Sequence, residues 1–206
     1  DFQFTERDLQ GQIKRAGPRA EYFPVYYAEP FSGNEAALGF DLGSNPARLE
    51  TMERARDTGA IVASPPGALI QGARERDGLL IFRPVYSHDA PHDTLEERRA
   101  SISGYVLAVV RIEILVERSL EDFPVVGIDI LLYDETDPAE DLLLYTHQSR
   151  ARMGTARSTD RDRAELQAGL HRRAALDIPG RQWSLLFLPS PEFIAAHNPE
   201  QTWLIL

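Results

Sequence analysis

No cysteine occurs in this chain. Disulfides and thiolate metal sites are therefore excluded. Lysine is almost absent, with Lys14 alone beside 21 arginines. Basic charge is the minority overall, with 22 Lys and Arg against 32 Asp and Glu and a net charge of −10. Nucleic-acid binding needs a clustered basic face, so this balance argues against it. It also disfavours broad attraction to an anionic membrane surface. No apolar run reaches the roughly 18 residues of a membrane-spanning helix. The glycine spacings that cradle phosphates are missing, as is the sharp Gly-x-Ser-x-Gly turn of a hydrolase nucleophile.

What is present suffices for a core. Apolar residues make up 43% of 206 positions, enough for one large domain or two small ones at roughly 150 residues each. Residues 2–16 place Leu9 and Ile13 four apart behind Thr5, which predicts a short capped amphipathic helix. Residues 21–28 are aromatic and β-branched and predict a strand. Asn45-Pro46 opens the best-signalled element, a helix with an N-cap, proline at its first position and Gly59 as its stop. Strands are expected at residues 61–64, 68–71, 79–86 and 101–111, with residues 87–99 as a connecting loop. The second half predicts a helix at 113–120 and strands at 125–133, 142–146 and 182–188. It also predicts a helix at 165–174 and a final turn at 191–197. Short strands without regular strand–helix alternation point to an α+β fold with antiparallel sheets, in two halves of about 100 residues. The terminal run Trp203-Leu204-Ile205-Leu206 reads either as a last core element or as the start of a membrane span, since Trp favours the interface.

Few residues suggest chemistry. His88 and His92 are four apart and each precedes an Asp, but Pro91 forbids the helix that would align them. The segment reads as a solvated loop. Asp41 is the oddity, a carboxylate inside the apolar run at residues 37–42. A buried acid costs several kcal/mol unless it is paired. Asp41 either faces water near the Asn45 helix or anchors a ligand that brings N–H donors, as an amine-bearing ring would.

Five ordered blocks carry a resemblance. They are Glu-Tyr-Phe-Pro-Val-Tyr-Tyr-Ala-Glu-Pro (21–30), Asn-Glu-Ala-Ala-Leu-Gly-Phe-Asp (34–41), Ser-Asn-Pro-Ala-Arg (44–48), Ala-Arg-Asp-Thr-Gly (55–59) and Phe-Arg-Pro-Val-Tyr (82–86). Together they resemble the CHASE domain, the extracytoplasmic sensor of plant cytokinin receptors and many bacterial receptors. Residues 104–111 resemble a later strand of that family. The resemblance implies two tandem PAS-like subdomains behind an N-terminal stalk helix that is mostly missing here. The membrane-distal, ligand-binding one would occupy residues 1–111 and the membrane-proximal one residues 112–206. It implies a small-molecule ligand, adenine-type in the plant receptors, contacted by Phe40, Asp41, Ala63, Ser64, Gln71, Gly72 and Leu80. It implies no cofactor or metal and no catalysis by this part of the chain. It further implies transmembrane helices outside the chain, a periplasmic or other extracytoplasmic location, a homodimeric receptor, and a histidine kinase or diguanylate cyclase as output. The competing expectation is a dimerisation or partner-binding module without a small ligand.

Overall fold

Asp8 and Gly11 decide the start of the fold. The Asp8 carboxylate accepts hydrogen bonds from the backbone N–H groups of Gln10 and Gln12 at 2.9 and 2.8 Å. Gly11 adopts a left-handed φ of 78°. These are turn features, and they convert the expected helix at 2–16 into a hairpin. Strands β1 (Thr5–Arg7) and β2 (Ile13–Arg15) pair antiparallel, with Thr5 opposite Arg15. Ile13 is exposed, so the position that would anchor the expected helix face is not buried, and Leu9 lies outside the described residues. The computed structural model describes residues 3–8, 10–67, 69, 78–122, 127–139, 142–149 and 163–197. The chain divides into two compact units, Asp1–Arg111 and Ile112–Leu206.

The first unit is built on the three-stranded antiparallel sheet β3 (Val62–Ala63), β4 (Gly78–Tyr86) and β5 (Ile102–Arg111), in that order. Val62 faces Phe82 and Ala63 faces Ile81 across the first pair. Helix α1 (Pro46–Thr58) matches its sequence signals. The Asn45 side chain accepts from the Arg48 N–H at 3.1 Å, Pro46 opens the helix, and Gly59 closes it at φ 72°. The helix buries Thr51, Met52 and Ala55. A core of Phe40, Leu42, Met52, Ala55, Val62, Leu69, Leu80 and Phe82 results. The region expected as loop at 87–99 holds a second helix, α2 (Leu95–Ser101). Its signal is the capping box Thr94 to Glu97, in which each side chain meets the other's backbone N–H. The expected strand at 21–28 is reduced to a single bridge between Pro24 and Asp41.

The second unit carries α3 (Ile112–Leu120), β6 (Ile128–Asp134), β7 (Leu142–His147), α4 (Arg163–Ala168), β8 (Arg172–Ile178), β9 (Arg181–Pro189) and α5 (Pro191–Ala196). Its sheet is antiparallel in the order β7-β6-β9-β8. The expected helix at 165–174 stops at Ala168. From Arg173 onward, exposed and half-buried positions alternate along β8. That is a period of two, a strand period. Gly180, at φ 74°, closes the tight turn from β8 into β9. Leu131, Tyr133, Leu166, Leu186 and Leu188 form the core here.

The fold is α+β with antiparallel sheets. Among the described residues, no helix is long and apolar enough to cross a membrane. Residues 203–206, read above as a core end or a span start, lie outside the described residues.

Candidate functional site

The segment carrying Asp41 is threaded between two others. The Asp41 N–H donates to Thr5 O at 2.8 Å, and the Leu42 N–H donates to Phe23 O at 3.0 Å. This places the Asp41 side chain inside the unit, with no exposed surface. Its carboxylate is met by three protein donors. Oδ1 accepts from the Phe23 N–H at 2.7 Å and the Gly43 N–H at 3.1 Å. Oδ2 accepts from Arg19 Nη1 at 2.8 Å. Arg19 also bridges to Glu6, which lies 3.4 Å from Lys14 Nζ. Burial raises the Glu6 pKa, but Lys14 and Arg19 outweigh it and hold the carboxyl below its ordinary value. The answer to the oddity of Asp41 is thus an internal network. A buried carboxylate is tolerated when charge-assisted hydrogen bonds surround it. Gly43 is required for the fit, because a Cβ there would stand 2.7 Å from Phe23 Cδ2.

A cavity of about 340 Å³ opens on another side of the same segment. Phe40, Ser44, Asn45, Ser64 and Pro65 are among the residues that line it, together with Arg7, Asp8 and Arg48. Asp41 does not line it. The Ser64 hydroxyl is engaged within the protein: it donates to Pro65 O at 2.9 Å and accepts from the Leu80 N–H at 3.1 Å. Ser44 donates its hydroxyl to Asp41 O at 2.6 Å. The Asn45 oxygen caps α1, and Asp8 serves its own turn.

Of the residues expected to contact a ligand, Phe40 and Ser64 therefore reach the cavity. Leu80 is a core residue beside Phe40. Ala63 is fully buried in β3. Asp41 joins the internal network. Gln71 and Gly72 lie outside the described residues.

The two arginines were not among the expected contacts. Arg7 reaches in from β1 and donates through Nη2 to Leu69 O at 2.9 Å. Arg48 stands in the first turn of α1 with its Cζ 6.0 Å from the centre of the Phe40 ring. Burial, and then the charge of Arg7, lower the Arg48 pKa. A signal for Arg48 does exist in the sequence. A cation in a helix's first turn opposes the macrodipole, and this turn has no acid. Local rules are broken most often where a site demands it. Arg7 had no such signal, because its place depends on a hairpin read as a helix.

The histidines do not assemble. His88 is exposed beside Asp89, and His92 stacks on Tyr86. Among the described residues, no cluster of three or more His, Asp or Glu could hold a metal ion.

Comparison with known proteins gives consistent matches. A family model for the CHASE domain matches residues 1–145. Hybrid signal transduction histidine kinase A of Dictyostelium discoideum is 23% identical over 88% of this chain and 9% of its own length. Probable histidine kinase 4 of Oryza sativa subsp. japonica is 34% identical over 61% of this chain and 12% of its own length. The chain thus corresponds to about a tenth of each of these relatives.

Proposed function

The chain belongs to the CHASE domain family, and from that premise we propose that it is the small-molecule sensor of a transmembrane receptor whose output is a histidine kinase. The cavity beside Phe40, Ser64 and the start of α1 carries this reading. Ligand pockets of this kind are concave and largely pre-formed. The kinase output is supported by two relatives named as histidine kinases. Nothing comparable supports a diguanylate cyclase output. The first unit would face the ligand outside the cytoplasm, in the periplasm of a bacterium. The second would pass the signal to a membrane span beyond the chain, in a homodimeric receptor. A ligand shifts such a receptor only by its differential affinity for the two signalling states.

Asp41 is fully buried and does not line that cavity, so an amine-bearing ring, adenine among them, would have to displace Arg19 to reach its Oδ2. That exchange swaps one planar N–H donor for another. The test is a thermal-shift screen with adenine derivatives, amino acids and small carboxylates. The sensor reading expects at least one class to raise Tm. An adenine response should strengthen in Arg19→Ala and vanish in Asp41→Asn. No shift with any class would overturn the sensor reading.

The partner-binding alternative draws on one observation: Tyr26, Tyr27 and Phe31 are exposed by 90, 74 and 53%. Clustered exposed aromatics suit a protein interface. Sedimentation of the wild type against Tyr26→Ser/Tyr27→Ser separates the readings. A dimer that dissociates in the double variant, with no ligand response, favours the partner module.

A further inference from the structure

We infer that the exposed loop at residues 26–38 is a docking surface for a protein partner that presents arginine or lysine to it. The inference goes beyond the sensor reading and does not rest on it: among the described residues, none from this loop lines the cavity. It starts from the aromatics of the partner-binding alternative and gives that partner a chemistry. The loop is held at its base, where the Val25 N–H donates to Phe40 O at 3.0 Å and the Gly39 N–H donates to Val25 O at 2.8 Å. It is also ordered within. Asn34 donates through Nδ2 to Pro30 O at 2.7 Å and through its backbone N–H to Phe31 O at 2.9 Å. A single 3-10 turn, Glu35–Ala37, follows. Loops with closed ends and internal bonds are compact surface features that often carry function. Yet the three largest exposed side chains here, Tyr26, Tyr27 and Phe31, face water. The shape of the loop therefore owes little to burying them.

The charge of the loop names the partner. Between Arg19 and Arg48 the sequence holds no Lys, Arg or His. The loop carries Glu29 and Glu35, both exposed. Glu29 Oε2 accepts from the Tyr27 hydroxyl at 3.0 Å, which sets a carboxylate beside an exposed ring. Glu35 accepts from the Gly33 N–H at 3.0 Å. Its own backbone N–H and that of Gly33 hold its carboxyl below the ordinary value, so it stays ionised. Among the described residues, no cation pairs with either acid. Aromatic rings beside unpaired carboxylates complement guanidinium or ammonium groups, because the ring face attracts the cation and the acid pairs with it. Arginine and aromatic residues are also the groups enriched at protein interfaces. Other occupants fit worse. A second copy docked on the same loop about a two-fold axis would set Glu29 and Glu35 against like charges. An anionic lipid surface would meet the same acids and a net charge of −10. A small molecule needs a concave site, and Tyr26, 90% exposed, encloses nothing.

The experiment is fluorescence anisotropy with a labelled alternating Arg-Ala peptide, and an alternating Gln-Ala peptide as the neutral probe. It is run at about 0.15 M salt, where exposed charges more than about 8 Å apart are largely screened. The expected result is saturable binding of the Arg-Ala peptide alone. Tyr26→Ser/Tyr27→Ser should weaken it at least about fivefold, the scale of two exposed cation–π contacts. Tyr26→Phe/Tyr27→Phe keeps the rings and should bind within about twofold of the wild type. Glu29→Gln/Glu35→Gln should weaken binding about threefold. Glu165→Gln/Asp177→Asn removes two exposed charges from the second unit. That pair should leave Kd within about twofold of the wild type. The Tyr side chains are exposed, so their replacement should leave the fold intact. Should the Ser pair nevertheless melt early, Phe31→Ser carries the test, with a loss of about twofold or more.

Three results overturn the inference. One is no saturable binding of the Arg-Ala peptide. Another is binding that the Ser variants leave unchanged, or that both acid-removing pairs weaken equally, which would make net charge the cause. The third is a wild-type dimer in sedimentation that dissociates in Tyr26→Ser/Tyr27→Ser, which would seat a second copy on the loop. None of these bears on the sensor reading, because the small-molecule screen above reads the cavity and these variants leave its wall untouched.

Discussion

Arg19 donates to the wholly buried carboxylate of Asp41 at 2.8 Å, across 22 residues of chain. This pair ties the loop that follows β2 to the wall of the first unit. Removing Asp41 leaves the N–H groups of Phe23 and Gly43 without their acceptor and leaves Arg19 with Glu6 as its carboxylate partner. Asp41→Ala is expected to destabilise the chain by about 3–5 kcal/mol, the range for breaking a buried pair. Arg19→Ala should cost a similar amount, since it leaves the wholly buried Asp41 carboxylate without its cation. Urea denaturation of the two single variants and the double variant measures this. A coupling energy near zero would show that the two residues do not act as a pair.

Glu135 makes stability depend on pH. Burial raises its pKa, but Ser184, Arg163 and Arg173 outweigh it and bring the carboxyl down to about 2. Ser184 Oγ donates to it at 2.7 Å, and both arginines pair with it. The folded pKa lies below the reference value of 4.5. The group's contribution is therefore complete above about pH 5 and is lost as pH falls toward about 2. The stability gap between wild type and Glu135→Gln, read from chemical denaturation, should shrink over that window. A gap that stays constant with pH would remove Glu135 as the source.

Thr94 caps a helix of seven residues. Its hydroxyl accepts from the Glu97 N–H at 3.2 Å, while Glu97 returns the bond to the Thr94 N–H at 3.0 Å. Thr94→Ala should cost about 1 kcal/mol. Amide exchange across α2 should rise, because so short a helix has little else to hold its first turn. The Arg98 bond to Asp57 O at 2.8 Å and the Arg99 pair with Asp57 fix the far end. Unchanged exchange in α2 would mean those arginines suffice without the cap.

Gly43→Ala should destabilise by about 1–3 kcal/mol through overpacking. The new methyl would press on the Phe23 ring. Phe23→Leu should relieve the clash, so the double variant should cost less than the sum of the singles. Strict additivity in the melting data would place the cost elsewhere.

Parts of this molecule were legible one residue at a time. Asn45, Pro46 and Gly59 bound α1 because caps and stops act on the nearest turn. The antiparallel α+β class followed from short strands without a regular helix between them. The five blocks carried the family. Misreadings came where local signals compete. Leu9 and Ile13 have helical spacing, yet the Asp8 turn and Gly11 win and form a hairpin. Residues 172–174 continue a helical composition, yet pairing with β9 draws them into a strand. The Thr94 box lies within a stretch whose polar composition predicts a loop, and the box starts a helix there instead.

By itself, then, the sequence determined the helix ends, the fold class, the family and the scarcity of basic charge, since each depends on neighbours in the chain or on composition. Only the tertiary structure decided what Asp41 faces and which side chains line the cavity. Arg19 comes to Asp41 from 22 positions away, and Arg7 and Arg48 line one cavity although they come from different elements. Whether a buried charge is met by its own chain or left for a guest depends on distances in space. No local pattern encodes them.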